Sequence, residues 1–129
     1  GDIGLICEYK EGLSLMDIAK NVKQRLNADA LKLWTAGWNI DQEIQRVAIC
    51  GGSGASVLPA AERLADLLIT GDISYHSFLD SKIPIIDAGH FATEYPALSA
   101  LYESLKSIGI PCQILDGSLH EWKQNMIYL

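Results

Sequence analysis

Apolar positions along the chain change period several times, and each change marks an element. Leu15, Ile18, Ala19, Val22 and Leu26 recur at helical spacing. Ser14 precedes them as a candidate N-cap with Asp17 three residues on, and the predicted helix ends near Asn27. Ahead of it, the apolar and β-branched run Ile3 to Tyr9 predicts a strand that stops at the turn-like Lys10-Glu11-Gly12. Leu31, Leu33 and Thr35 alternate with Lys32, Trp34 and Ala36, which predicts a second strand, followed by a polar loop from Gly37 to Glu43. Arg46 to Cys50 is short, apolar and unbroken, as strands covered on both faces are.

The run Gly51-Gly52-Ser53-Gly54-Ala55-Ser56 then leads into a predicted helix from Val57 to about Ala65 and a strand from Asp66 to Thr70, which together make a βαβ unit. A short helix from Tyr75 to Ser81, a strand from Pro84 to Ala88, an amphipathic helix from Ala97 to Ile108 closed by Gly109 and Pro111, and a strand from Cys112 to Leu115 continue the alternation. The tail holds a turn at Asp116-Gly117 and a final strand at Met126 to Leu129. The expected fold is α/β, a layered sandwich of a mixed, largely parallel sheet with helices, in one domain spanning residues 1–129.

Composition narrows the chemistry. The 129 residues are 49% hydrophobic, enough for one real core. A net charge of −6 and the lack of any basic run disfavour nucleic-acid binding. Cys7, Cys50 and Cys112 are odd in number, far apart and without a CxxC pair, so neither a disulfide framework nor a zinc ribbon is indicated and a reducing cytoplasm is expected. No apolar run approaches the ~20 residues of a membrane span. Gly1 already stands within a strand-like run with no initiator methionine, which reads as a piece of a longer, two-lobed protein, its C-terminal portion.

The candidate chemistry gathers where Pro84-Ile85-Ile86-Asp87-Ala88-Gly89 delivers His90 and Glu94, four residues apart. If a helix starts after Gly89, the two share a face and reach one metal ion together. If Pro96 must lie in the first turn, the helix starts near Thr93 and His90 stays on the connection. The pair also reads as a helix-start histidine with a dipole-stabilised acid. Gly52, Ser53 and Gly54 form a candidate anion cradle at a helix start, or simply a tight turn. This loop lacks the third glycine of a dinucleotide fingerprint, the Lys-Ser/Thr ending of a P-loop and the second glycine of a nucleophile elbow. Cys50, at the strand end beside it, reads as core packing. Asp72 is a candidate proton carrier or the N-cap of the short helix, His76 a crevice or a surface histidine, and His120 a tail residue beside Glu121.

Three motifs, Val47-Ala48-Ile49-Cys50-Gly51-Gly52-Ser53-Gly54, Ile69-Thr70-Gly71-Asp72-Ile73-Ser74-Tyr75-His76 and Ile86-Asp87-Ala88-Gly89-His90-Phe91-Ala92-Thr93-Glu94, stand in an order and spacing that resemble the second half of the NIF-three-like family, often labelled GTP cyclohydrolase type 2 homologs. The resemblance implies two related α/β halves, a toroidal homo-hexamer and a dinuclear metal site facing its inner cavity. It also implies that His90 and Glu94 are metal ligands, Glu94 bridging, with Asp72 and His76 nearby. The family's other ligands, a His-His pair and an aspartate, come from its first half and have no counterpart here, so this chain would hold part of a site. Zinc, manganese, iron and cobalt are not distinguished. The function so implied is a metal-dependent hydrolase in which the metals activate water, Asp72 or His76 moves the proton, and a nucleotide or other phosphate-bearing small molecule contacts the glycine loop. The alternative is a ring-forming interaction or metal-handling scaffold, since the family name points to a partner of a transcriptional coactivator. Self-association of the chain is expected on either reading.

Overall fold

The computed structural model describes residues 4–111, 127 and 129. The strand expected at Cys112 to Leu115, His120, and Met126 and Tyr128 of the strand expected at Met126 to Leu129 lie outside the described residues. Two compact units are distinguished, residues 1–96 and residues 97–129.

The first unit is built on a five-stranded sheet in the order β1-β3-β4-β5-β2, with β1 at Leu5–Ser14, β2 at Lys32–Trp34, β3 at Glu43–Ser53, β4 at Leu67–Gly71 and β5 at Ile85–Asp87. The three inner strands run parallel, and each edge strand pairs antiparallel with its neighbour. The sheet is thus mixed and parallel at its centre, as the βαβ pattern predicts. β4, the middle strand, is buried at every position. β3, expected to be covered on both faces, is not fully so, since Ile49 is 37% exposed.

Helix α1 (Leu15–Arg25) covers one face. Ser14 caps it by accepting a hydrogen bond from the Asp17 amide at 3.1 Å, with Asp17 in the first turn and Lys23 and Arg25 in the last, each placed to suit the helix dipole. Leu15, Ile18 and Ala19 pack there on Ile44, Val47, Leu67, Ile69 and Ile86. Helix α2 (Leu58–Leu64), entered through a 3-10 turn at Ala55–Val57, supplies Leu58 and Ala61 to the other face, with Ala48, Leu68, Ile73, Ile83 and Ile85. Burying each large aliphatic side chain contributes about 1.5–3 kcal/mol.

Several boundaries differ from the expectation. β1 runs on through Lys10-Glu11-Gly12, because a register irregularity between Glu8 and Leu13 takes up the extra residues and Leu13 and Ser14 pair with Ile44 and Glu43. That pairing also lengthens β3 at its start. At its far end, pairing of Ser53 with Gly71 draws Gly51, Gly52 and Ser53, expected in a loop, into the strand. Helix α3 (Tyr75–Asp80) is capped by Ser74, whose hydroxyl accepts from the Ser77 amide at 3.2 Å, and not by Asp72.

Helix α4 (His90–Ser107) begins directly after Gly89, whose φ of 89° is open to glycine. His90 is therefore helical, and Pro96 lies inside the helix instead of in its first turn. In the second unit, α4 is followed by Gly109 at φ 80°, whose amide and that of Ile110 bond to Lys106 and Leu105 carbonyls.

Candidate functional site

The carboxyl ends of the three parallel strands converge on the start of α4, and glycines make this approach possible. A Cβ on Gly51 would lie 2.8 Å from the Thr93 carbonyl oxygen, and one on Gly71 would lie 2.5 Å from the Gly89 carbonyl group. The Gly52 amide donates to Thr93 Oγ1 at 2.9 Å, and the Thr93 hydroxyl donates in turn to the Gly89 carbonyl at 2.8 Å. Threonine 93 therefore ties the end of β3 to the first turn of α4.

His90 is set in that turn with carboxylates on both ring nitrogens. Nδ1 lies 2.6 Å from Asp72 Oδ2, and Nε2 lies 3.1 Å from Glu94 Oε2. The hydrogen bond to Asp72 is the main cause that raises the imidazole pKa above its ordinary 6.5, Glu94 adds to it electrostatically, and partial burial opposes it. All three side chains are about half exposed and open to a ligand. Helical i,i+4 spacing brings His90 and Glu94 together, whereas Asp72 reaches His90 from the β4–α3 connection, where it holds a left-handed φ of 52°.

Of the other expected site residues, His76 makes an edge-on ring contact with Tyr75 at 5.8 Å, and among the described residues no hydrogen bond or ion pair joins it to His90, Asp72 or Glu94. In the glycine loop, the Gly52 amide is engaged by Thr93 and the Gly54 amide points to the Gly71 carbonyl at 3.4 Å. A Cβ on Gly52 would stand 3.2 Å from His90 Nε2 and 3.5 Å from Glu94 Oε1, so this loop forms a wall of the histidine site. Cys50 is buried, as expected of a core thiol. An apolar groove of about 260 Å³ between α1 and β2, lined by Met16, Leu31 and Leu33, contains none of these residues.

Sequence reasoning assigned no role to Thr93 or Asp87. The signal for Thr93 is its place between His90 and Glu94 on one helical turn. For Asp87 it is a carboxylate ending a fully buried strand just before Ala88-Gly89.

The donor chemistry fits part of a divalent-metal centre. Imidazole and carboxylate are the N and O donors that zinc and its neighbours take, and a carboxylate on the opposite ring nitrogen is the usual outer-shell support of a metal-bound histidine. Two ligands are fewer than a catalytic zinc has, and among the described residues no group of three or more His, Cys, Asp or Glu is disposed to hold an ion.

Comparison with known proteins agrees with this architecture. The chain is 36% identical over 118 residues to a protein of Pyrococcus horikoshii and 34% identical over 128 residues to one of Nostoc, both named GTP cyclohydrolase 1 type 2 homolog. The alignments cover 88% and 96% of this chain but 46% and 47% of those proteins, so the chain spans about half the length of the curated relatives it matches. The crystal structure of a Bacillus cereus protein related to NIF3 superposes with a TM-score of 0.69 over 98% of this chain and 36% of that one, at 23% identity, and shows the same fold. The model of the family Duf34/NIF3 (NGG1p interacting factor 3) matches residues 1–116, and the chain belongs to that family.

Proposed function

We propose that this chain supplies one side of a divalent-metal centre in a metal-dependent hydrolase, with His90 Nε2 and Glu94 as ligands and Asp72 holding the imidazole through Nδ1. The observation that carries the reading is the 2.6 Å contact between Asp72 and Nδ1: in the neutral tautomer that this contact favours, the lone pair lies on Nε2, on the side where Glu94 stands 3.1 Å away. A neutral imidazole so oriented faces a carboxylate with no proton between them, and a cation placed there satisfies both. The remaining ligands would come from outside the described residues and complete a dinuclear centre.

When bound, such ions polarise a carbonyl or phosphoryl group and make a hydroxide available near neutral pH. The chain's own residues do the rest. Asp72 fixes the tautomer of His90, the helical turn fixes Glu94, and the close wall at Gly52 limits what enters beside them. In this proposal the proton carrier is His76 of α3, which would have to turn from its ring contact with Tyr75 toward the site to act. The name borne by the relatives points to a nucleotide or another phosphate-bearing small molecule as substrate, bound against Gly52, Ser53 and Gly54. The assembly that goes with this reading is a toroidal homo-hexamer in the cytoplasm. Among the described residues no helix is long and apolar enough to cross a membrane.

The test is chelator competition with zinc, manganese, iron and cobalt, followed by a screen of nucleotide hydrolysis with the metal retained. His90→Ala and Glu94→Ala should each weaken binding at least tenfold, a loss of about 1.4 kcal/mol or more. Unchanged affinity in the double variant removes the proposed ligands, and tight binding without any hydrolysis leaves the metal-handling scaffold.

A further inference from the structure

We infer that Asp87 is the positioning residue of this site, a buried carboxylate that sets Asp72 against His90 by holding the backbone on both sides of their contact. The inference rests on the metal-site reading only for its functional consequence; the geometry stands without it. Asp87 ends β5, is 7% exposed, and makes two hydrogen bonds that belong to no strand ladder. Its Oδ2 accepts from the Ile73 amide at 3.0 Å, and its Oδ1 accepts from the Gly89 amide at 2.9 Å.

These two donors are placed tellingly along the chain. The Ile73 N–H belongs to the peptide unit that follows Asp72, so fixing it fixes the ψ torsion of Asp72. The Gly89 N–H belongs to the peptide unit that precedes Gly89, so fixing it constrains the φ torsion of the residue from which α4 departs. One carboxylate thereby controls the exit direction of the Asp72 side chain and the start of the helix that carries His90. Both torsions need such control. Asp72 holds a left-handed φ of 52° that is unfavourable for a residue with a Cβ, and Gly89, at φ 89°, has many other conformations open to it from which this one must be selected. The two connections also touch backbone to backbone, since a Cβ on Gly71 would lie 2.7 Å from the His90 nitrogen. A shift in either connection is passed to the other.

A carboxylate is the group this requires. Its two oxygens accept from two separate amides, and a charged acceptor makes each bond stronger than a neutral one would. In Asp87→Asn the side chain keeps its shape, but its NH2 group faces one of the two amides, donor against donor. One bond is lost and the contact it guards is released.

The experiment uses NMR of the metal-free chain. The Nδ1 proton of His90, held against a carboxylate, gives a far-downfield signal that Asp72→Asn removes. Asp87→Asn should remove or broaden the same signal while the sheet amides keep their wild-type shifts. Ser74→Ala, which deletes the cap of α3 in the same connection, should lower stability and leave the signal in place. Persistence of the wild-type signal in Asp87→Asn overturns the inference. Should that variant not fold, the wild-type protein still decides the matter. Couplings across the hydrogen bonds from the Ile73 and Gly89 nitrogens to the Asp87 carboxyl carbon are expected, and their absence overturns it. Cobalt affinity gives a separate reading, expected to fall at least fivefold in Asp87→Asn. If the imidazole signal responds as expected but the wild-type protein in its full-length form binds no cobalt, the metal reading fails and the positioning role of Asp87 stands.

Discussion

Replacing Gly52 with alanine separates backbone strain from crowding of the site, because the chain carries its own control. Gly37 and Gly52 have nearly the same left-handed φ, 79° and 78°. At Gly37 a new Cβ meets nothing within 4 Å, whereas at Gly52 it meets His90 Nε2 at 3.2 Å, His90 Cε1 at 3.4 Å and Glu94 Oε1 at 3.5 Å. Holding an alanine in the left-handed region costs roughly 1–2 kcal/mol at either position. At Gly52 the imidazole must also move a few tenths of an ångström, which takes it off its rotamer or away from Asp72 and adds about 0.5–1.5 kcal/mol. Gly37→Ala should therefore lower the melting temperature by about 4–8 °C at roughly 4 °C per kcal/mol, and Gly52→Ala by about 2–6 °C more. Thermal unfolding by circular dichroism measures both. The decisive companion assay is metal competition, in which Gly37→Ala should match wild type and Gly52→Ala should bind less tightly. Equal melting losses in the two variants, with metal binding intact in both, would refute the placement of Gly52 against the histidine.

Proton linkage gives a second prediction. Because the folded pKa of His90 is raised above 6.5, its charged contacts stabilise the metal-free chain fully below that value and are lost as pH rises through the folded pKa; urea unfolding across this range should show stability falling toward alkaline pH, and Asp72→Asn should flatten the slope. Phosphate should bind the Gly52-Ser53-Gly54 loop no more tightly than ~1 mM, about 4 kcal/mol, since the Gly52 and Gly54 amides must give up Thr93 and Gly71 to receive it; micromolar saturation in an amide-shift titration would contradict the observed bonds. The edge strand β1 leaves Leu5 67% and Ile6 50% exposed beside Ile49, so the chain should self-associate and Ile6→Lys should reduce the association seen by light scattering; a monomer at high concentration before the substitution would count against it.

Short-range features were legible in the sequence. Ser14, Asp17 and the apolar positions of α1 lie within one segment, so local capping and helical spacing specify them without help from the rest of the chain. The alternation of strands and helices, and the His90 and Glu94 pair four residues apart, are local in the same sense. Hydrogen bonds between distant segments decided the remainder. Pairing with β1 and with Gly71 extended β3 at both ends and turned an expected glycine loop into the end of a strand. Asp72 meets His90 across 18 residues, Thr93 meets Gly52 across 41, and Asp87 reaches Ile73 across 14, contacts that no window of sequence contains. The residues able to bind a ligand were thus visible from their spacing, while those that hold them in place became visible only when the parallel strands set three loops side by side, because strand pairing and packing between distant segments choose which loops become neighbours.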